Sequence, residues 1–162
     1  MTETRTRILR ASLLLLTISA SAAGARAADA PPDLARLKFD VVTDPAKLPA
    51  AVQKAWAAKL GQPKLEVAPA GAPFQVTDVI MDPTLPGHRL INAGVSAKYA
   101  VVHYESGGVA HSRHVLVFAT EGDATTIVWS RYVNHTYDDA QAFLAAIRSG
   151  DLFAPPKQGK VQ

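Results

Sequence analysis

Four side chains in the middle of the chain carry the types that could do chemistry together: His103, Glu105, His114 and Arg131. Gly107-Gly108 and Gly122-Asp123 both suit two-residue hairpin turns that need positive φ. The first turn would pair Glu105 with Ala110 and Tyr104 with His111. The second would pair Phe118 with Ile127, Leu116 with Trp129 and His114 with Arg131. Side chains alternate faces along a strand. This register predicts one face with an apolar end (Val101, Leu116, Phe118, Ile127, Trp129) and a polar end (His103, Glu105, His114, Arg131). Two imidazoles and a carboxylate are a donor set for zinc with one position open, the arrangement of a metal-dependent hydrolase. The competing reading is a hydrogen-bonded polar end of a half-buried sheet, with Arg131 pairing Glu105. A guanidinium beside the cluster argues against a second cation there.

Other candidates are weaker. Ser106 beside His111 suggests a nucleophile and a base, but there is no G-x-S-x-G and Ser106 precedes a tight turn. His88 and Arg89 follow Pro86-Gly87, without the strand, Gly-rich loop and helix of a phosphate cradle. Asn134-His135-Thr136 matches a glycosylation triplet, and Thr136 is equally explained as a helix cap. Trp56 and Trp129 sit on apolar stripes, where packing explains them as well as ligand stacking does. No cofactor motif is present. Aromatic and basic residues do not interleave as in a nucleic-acid binder.

The elements that must position these residues read as α+β: an antiparallel sheet of hairpins packed with two helices, one before and one after the main strands. Leu37 to Thr43 alternates as a short strand. Asp44-Pro45 opens the first helix as N-cap and first helical residue, with a first turn at 45–48 before Pro49 and the helix proper to Leu60. Gly61 and Pro63 close it. Lys64 to Ala68 and Phe74 to Met81 read as strands, and 82–87 as a loop. The β-rich runs are Leu90 to Ser96, Tyr99 to Glu105, His111 to Thr120 and Thr125 to Val133. Thr136-x-x-Asp139 has the spacing of a capping box and starts a last helix with Ala140, Phe143, Leu144 and Ile147 on its apolar face. The aromatic sheet face should lie against a helix. The aliphatic face is left to the other helix, a loop, or a homodimer contact.

Residues 1–27 read as a secretory signal peptide. Arg5, Arg7 and Arg10 precede the apolar run from Ala11 to Ala20, and Ala25-Arg26-Ala27 is an A-x-A cleavage site. The run falls short of the ~20 residues that span a bilayer. Cleavage would leave 28–43 as a lead-in, 44–153 as one domain and 154–162 as a polar tail, with no stable membrane insertion. Four of the chain's 17 basic residues and one of its 14 acidic residues lie in the leader, which leaves 13 of each in the mature part. A balanced domain offers no electrostatic reason to bind nucleic acid. With no cysteine, a domain of this size holds together through its core. These observations predict a periplasmic or secreted protein that is a non-enzymatic module for a protein or small-molecule partner. The alternative is a hydrolase using the His/Glu cluster.

Overall fold

A computed structural model describes residues 31–154, apart from 81 and 123; the segment read as a signal peptide (1–27) and all but the first residue of the segment read as a tail (154–162) lie outside the described residues. The fold is α+β. Its strands are β1 (Asp40–Val42), β2 (His88–Val95), β3 (Tyr99–Ser106), β4 (Ser112–Glu121) and β5 (Ala124–Val133). They form one antiparallel sheet in sequence order. Helix α1 (Ala50–Lys59) precedes β2, and helix α2 (Ala140–Ser149) follows β5.

Each helix covers a different face. Leu48, Val52 and Trp56 pack on Leu90, Val102, Tyr104, Leu116 and Phe118. Phe143, Leu144 and Ile147 pack on Val101, Val115, Val117 and Trp129, with Leu152 and Phe153 from the short turn after α2. Both faces are thus covered within the chain. Local punctuation explains the helix ends. The Asp44 carboxylate accepts the Ala46 amide and opens a 3-10 turn over Pro45–Lys47, and α1 begins after Pro49. Gly150 ends α2 in the left-handed conformation at φ 83°.

Five expectations are corrected. The β3–β4 connection is not a two-residue turn. Ser106 pairs with Ser112, so Tyr104 lies opposite His114 and Glu105 opposite Arg113. That odd shift moves every β4 side chain to the other face. The β4–β5 turn is as read, with Phe118 opposite Ile127. One residue beyond that pair the register slips, and Trp129 comes opposite Val117. Val128 is the extra residue of a bulge, which sends Trp129 and Arg131 to the α2 face.

Residues 74–80 form no strand, although their alternation is real. The outer edge of β2 is already taken. β1 pairs one end of it, and Ala68 bridges the other between His88 and Leu90. With that edge taken, the 75–86 segment is closed by the hydrogen bond from the Gln75 amide to the Pro86 carbonyl and forms a surface loop. Of 64–68, only Ala68 makes a bridge. Lastly, Asp139 and not Thr136 caps α2. Its carboxylate accepts the Gln141 and Ala142 amides, while the Tyr137 and Asp138 carbonyls accept the Asn92 side-chain amide from β2.

Candidate functional site

The register divides the four expected site residues. His103, Glu105 and Arg131 lie on the α2 face, and His114 lies on the α1 face beside Tyr104. No zinc site can form from His103, Glu105 and His114, because the sheet separates them. Among the described residues no group of three or more His, Cys, Asp or Glu is placed to hold a metal ion. Arg131 does not pair Glu105 either. Its guanidinium donates to the Phe153 carbonyl (3.2 Å) and lies 5.4 Å from the centre of the Trp129 ring.

Glu105 finds other partners. It is 4% exposed and both carboxylate oxygens are used. Arg89, its direct neighbour on β2, donates to Oε1 from Nε (2.7 Å) and Nη2 (2.6 Å). His111, in the β3–β4 turn, donates from Nε2 to Oε2 at 2.7 Å. A carboxylate only accepts, so this bond places a proton on Nε2. Arg89 reaches further. Its Nη1 donates to the Ala72 carbonyl (3.0 Å) and its guanidinium stacks on the Phe74 ring at 4.6 Å. Phe74 in turn lies 5.9 Å from the His111 ring. One buried carboxylate therefore binds β2, β3, the hairpin turn and the 70–76 segment together. An imidazole oriented by a carboxylate is half of a nucleophile-activating relay. The two serines nearest in sequence are engaged elsewhere: Ser106 Oγ donates to the Gly107 carbonyl and Ser112 Oγ bonds His114 Nε2.

The network holds a second feature, which composition alone did not reveal. The hairpin turn and the 75–86 loop are joined backbone to backbone. Gly108 N–H donates to the Val76 carbonyl (3.1 Å), and Gly107 N–H to the Gly87 carbonyl (3.0 Å). At this end the large apolar side chains face solvent: Val76 is 42% exposed, Val79 61%, Ile80 71% and Val109 91%. Exposed Asp78 and Asp82 border them, and hydrogen bonds from Thr84 hold the Asp82 carboxyl below the usual carboxylate range. The Val79-Ile80 doublet, which breaks the alternation of its segment, was the one sequence signal of this tip. It lies in the segment that reads as a strand, and both side chains are exposed.

Gly107 makes the join possible. A Cβ there would lie 1.8 Å from the Gln75 carbonyl oxygen, well inside any real contact. Gly107→Ala must push the loop off the hairpin. We expect it to lower the unfolding midpoint and to speed amide exchange at Gly108, read by hydrogen-exchange NMR. Unchanged protection at Gly108 would contradict the tight join.

His103 is a separate matter. It is fully buried, stacked on Phe143 at 6.3 Å and 11°, with Tyr137 edge-on. Neither ring nitrogen has a hydrogen-bond partner. Burial pushes its pKa down to about 4. The His135 backbone opposes this slightly, without meeting the ring in hydrogen-bond geometry. The ring is neutral at pH 7 and serves as core packing.

Comparison with protein-family models, with curated proteins and with solved structures finds no match. Among the described residues no helix is long and apolar enough to cross a membrane. The functional reading therefore rests on the geometry of the chain itself.

Proposed function

We propose that the protein is an exported, non-enzymatic binding module that engages a protein partner through the tip formed by the 75–86 loop and the β3–β4 turn. The observation that carries this reading is the group of exposed aliphatic side chains, Val76, Val79, Ile80 and Val109, on two loops fastened to each other. Large apolar groups that no fold contact requires, gathered at one end, are the usual mark of an interaction site. The Arg89–Glu105–His111 network supports the reading because it orders both loops before any partner arrives. Preorganised loops lose less entropy on binding. Asp78 and Asp82 at the border favour a partner with an apolar cleft and a basic rim. The leader motif in residues 1–27 supports export to the periplasm or beyond.

Substitution at the tip tests this directly. Ile80→Asp and Val109→Asp change solvated positions, so each should alter stability by no more than about 0.5 kcal/mol. Partner capture from the exported fraction should fall at least about tenfold for the double variant, the equivalent of about 1.4 kcal/mol. Equal capture by the wild type and the double variant would remove the tip from the account.

A further inference from the structure

Behind the C-terminal end of α1 the sheet carries a second feature, which shares no residue with the tip. Tyr104, His114 and Tyr132 stand side by side on β3, β4 and β5. The Tyr104 and His114 rings stack at 4.8 Å and 13°, and Tyr132 tilts over His114 at 4.4 Å. With Lys59, Leu60 and Ser130 they line a recess of about 180 Å³. A dry cavity of about 150 Å³ is enough to take benzene, so there is room for one ring and little more.

One polar group of the recess lining, the Tyr104 hydroxyl, is unspent. Tyr104 is 3% exposed. No hydrogen bond involves its hydroxyl among the described residues, and burial raises its pKa to about 12, so the group remains a donor. Behind Tyr104, outside the recess lining, the Trp56 and His88 rings both meet it edge-on, at 5.2 Å and 6.1 Å. Trp56 Nε1 and His88 Nδ1 are buried without partners. Buried polar atoms are seldom left unpaired, and a cluster of them calls for an explanation.

The charge at the recess has one sign. Among the described residues Lys59 is the lining cation with no side-chain partner, since the Arg131 guanidinium is committed to Phe153 on the other face. No lining residue is acidic. The Trp56, Ala57 and Ala58 carbonyls in the last turn of α1 accept from the Leu60, Gly61 and Gln62 amides. His114 is neutral at pH 7: burial, with His88 and Lys59 adding to it, pushes its pKa down to about 4.

The geometry points to a binding site for a small planar aromatic carboxylate, with its ring against Tyr132 and its carboxylate at Lys59 and the Tyr104 hydroxyl. Flat apolar walls select the ring. A single cation beside a neutral donor selects the anion.

Benzoate is the probe. It is titrated into isotope-labelled mature protein while the His114 and Tyr132 ring resonances are followed by NMR. Benzamide supplies the same shape without charge, and cyclohexanecarboxylate the same charge without a flat ring. Saturable shifts with benzoate, stronger than with either control, are expected. Lys59→Ala should weaken benzoate about fivefold. Tyr132→Ala, at a position 66% exposed and so safe for folding, should weaken it about tenfold. The proposal is overturned by an absence of shifts at millimolar benzoate, by equal binding of benzamide, or by both variants binding as the wild type does.

Discussion

Replacing His103 by leucine yields a protein at least as stable as the wild type at pH 7 and far less sensitive to acid. The ring is fully buried and both nitrogens lack partners. An unsatisfied buried polar group costs about 1–3 kcal/mol. Leucine is close in volume and carries no polar atom to strand, and such swaps are tolerated best in cores. The pH dependence has a definite sign. The folded-state pKa of His103 is depressed to about 4, against an unfolded value near 6.5. The unfolded chain therefore takes up a proton first as pH falls. The stability that rests on the neutral ring is complete above pH ~6.5 and is lost as pH drops through ~4. For His103 this amounts to about 3 kcal/mol. His114 is depressed to about 4 as well, and its loss has the same direction, so the wild type should weaken markedly over this window. Denaturant melts of both proteins from pH 7 to pH 4 check the claim. Leucine should flatten the curve by the His103 share while the His114 share persists. A leucine variant that is strongly destabilised at pH 7 would mean that the ring nitrogens have a partner after all.

Glu105→Gln has the opposite consequence and should be the most damaging single change near the tip. The glutamine keeps the shape and removes the charge, and its amide turns N–H donors toward Arg89 or His111. Breaking a buried ion pair by changing one member costs about 3–5 kcal/mol. Arg89 keeps 30% of its side-chain surface in water, which screens its released charge. We expect a loss of about 2–3 kcal/mol, at or below the bottom of that scale. The loss should be local in one respect: exchange at Gly107 and Gly108 should rise more than at Val101 or Val117, because the network ties the turn to the 70–76 segment. In the double variant Arg89→Leu with Glu105→Leu, no charge is stranded, so the cost should be less than the sum of the two single losses. Additive losses would show that Arg89 and Glu105 do not act as a unit.

Local signals in the sequence were sufficient for much of the fold. Asp44, Pro45 and Pro49 mark the 3-10 turn and the start of α1, because capping and proline geometry depend only on neighbours. Gly122 marks the β4–β5 turn for the same reason. Side-chain placement was less legible. The β3–β4 turn spans five residues, 107–111, and Gly107 is fixed by its approach to Gln75, a contact more than thirty positions away. Val128 adds a bulge that no local pattern announces. A shift by an odd number of residues exchanges the faces, three in the β3–β4 turn and one at the Val128 bulge, so the His103, Glu105, His114 and Arg131 cluster dissolved although every strand carrying it is present. A glutamate within a buried strand does signal a cationic partner. That the partner is Arg89 follows only from the β2–β3 register.

Site-specific photo-crosslinking at Val109 in living cells is the sharpest single measurement. One dominant protein adduct, lost with Ile80→Asp and absent from a probe at exposed Lys98 on the opposite end of the sheet, is the predicted result. Adducts that form equally at Val109 and Lys98, or none at Val109, would contradict recognition through the aliphatic tip.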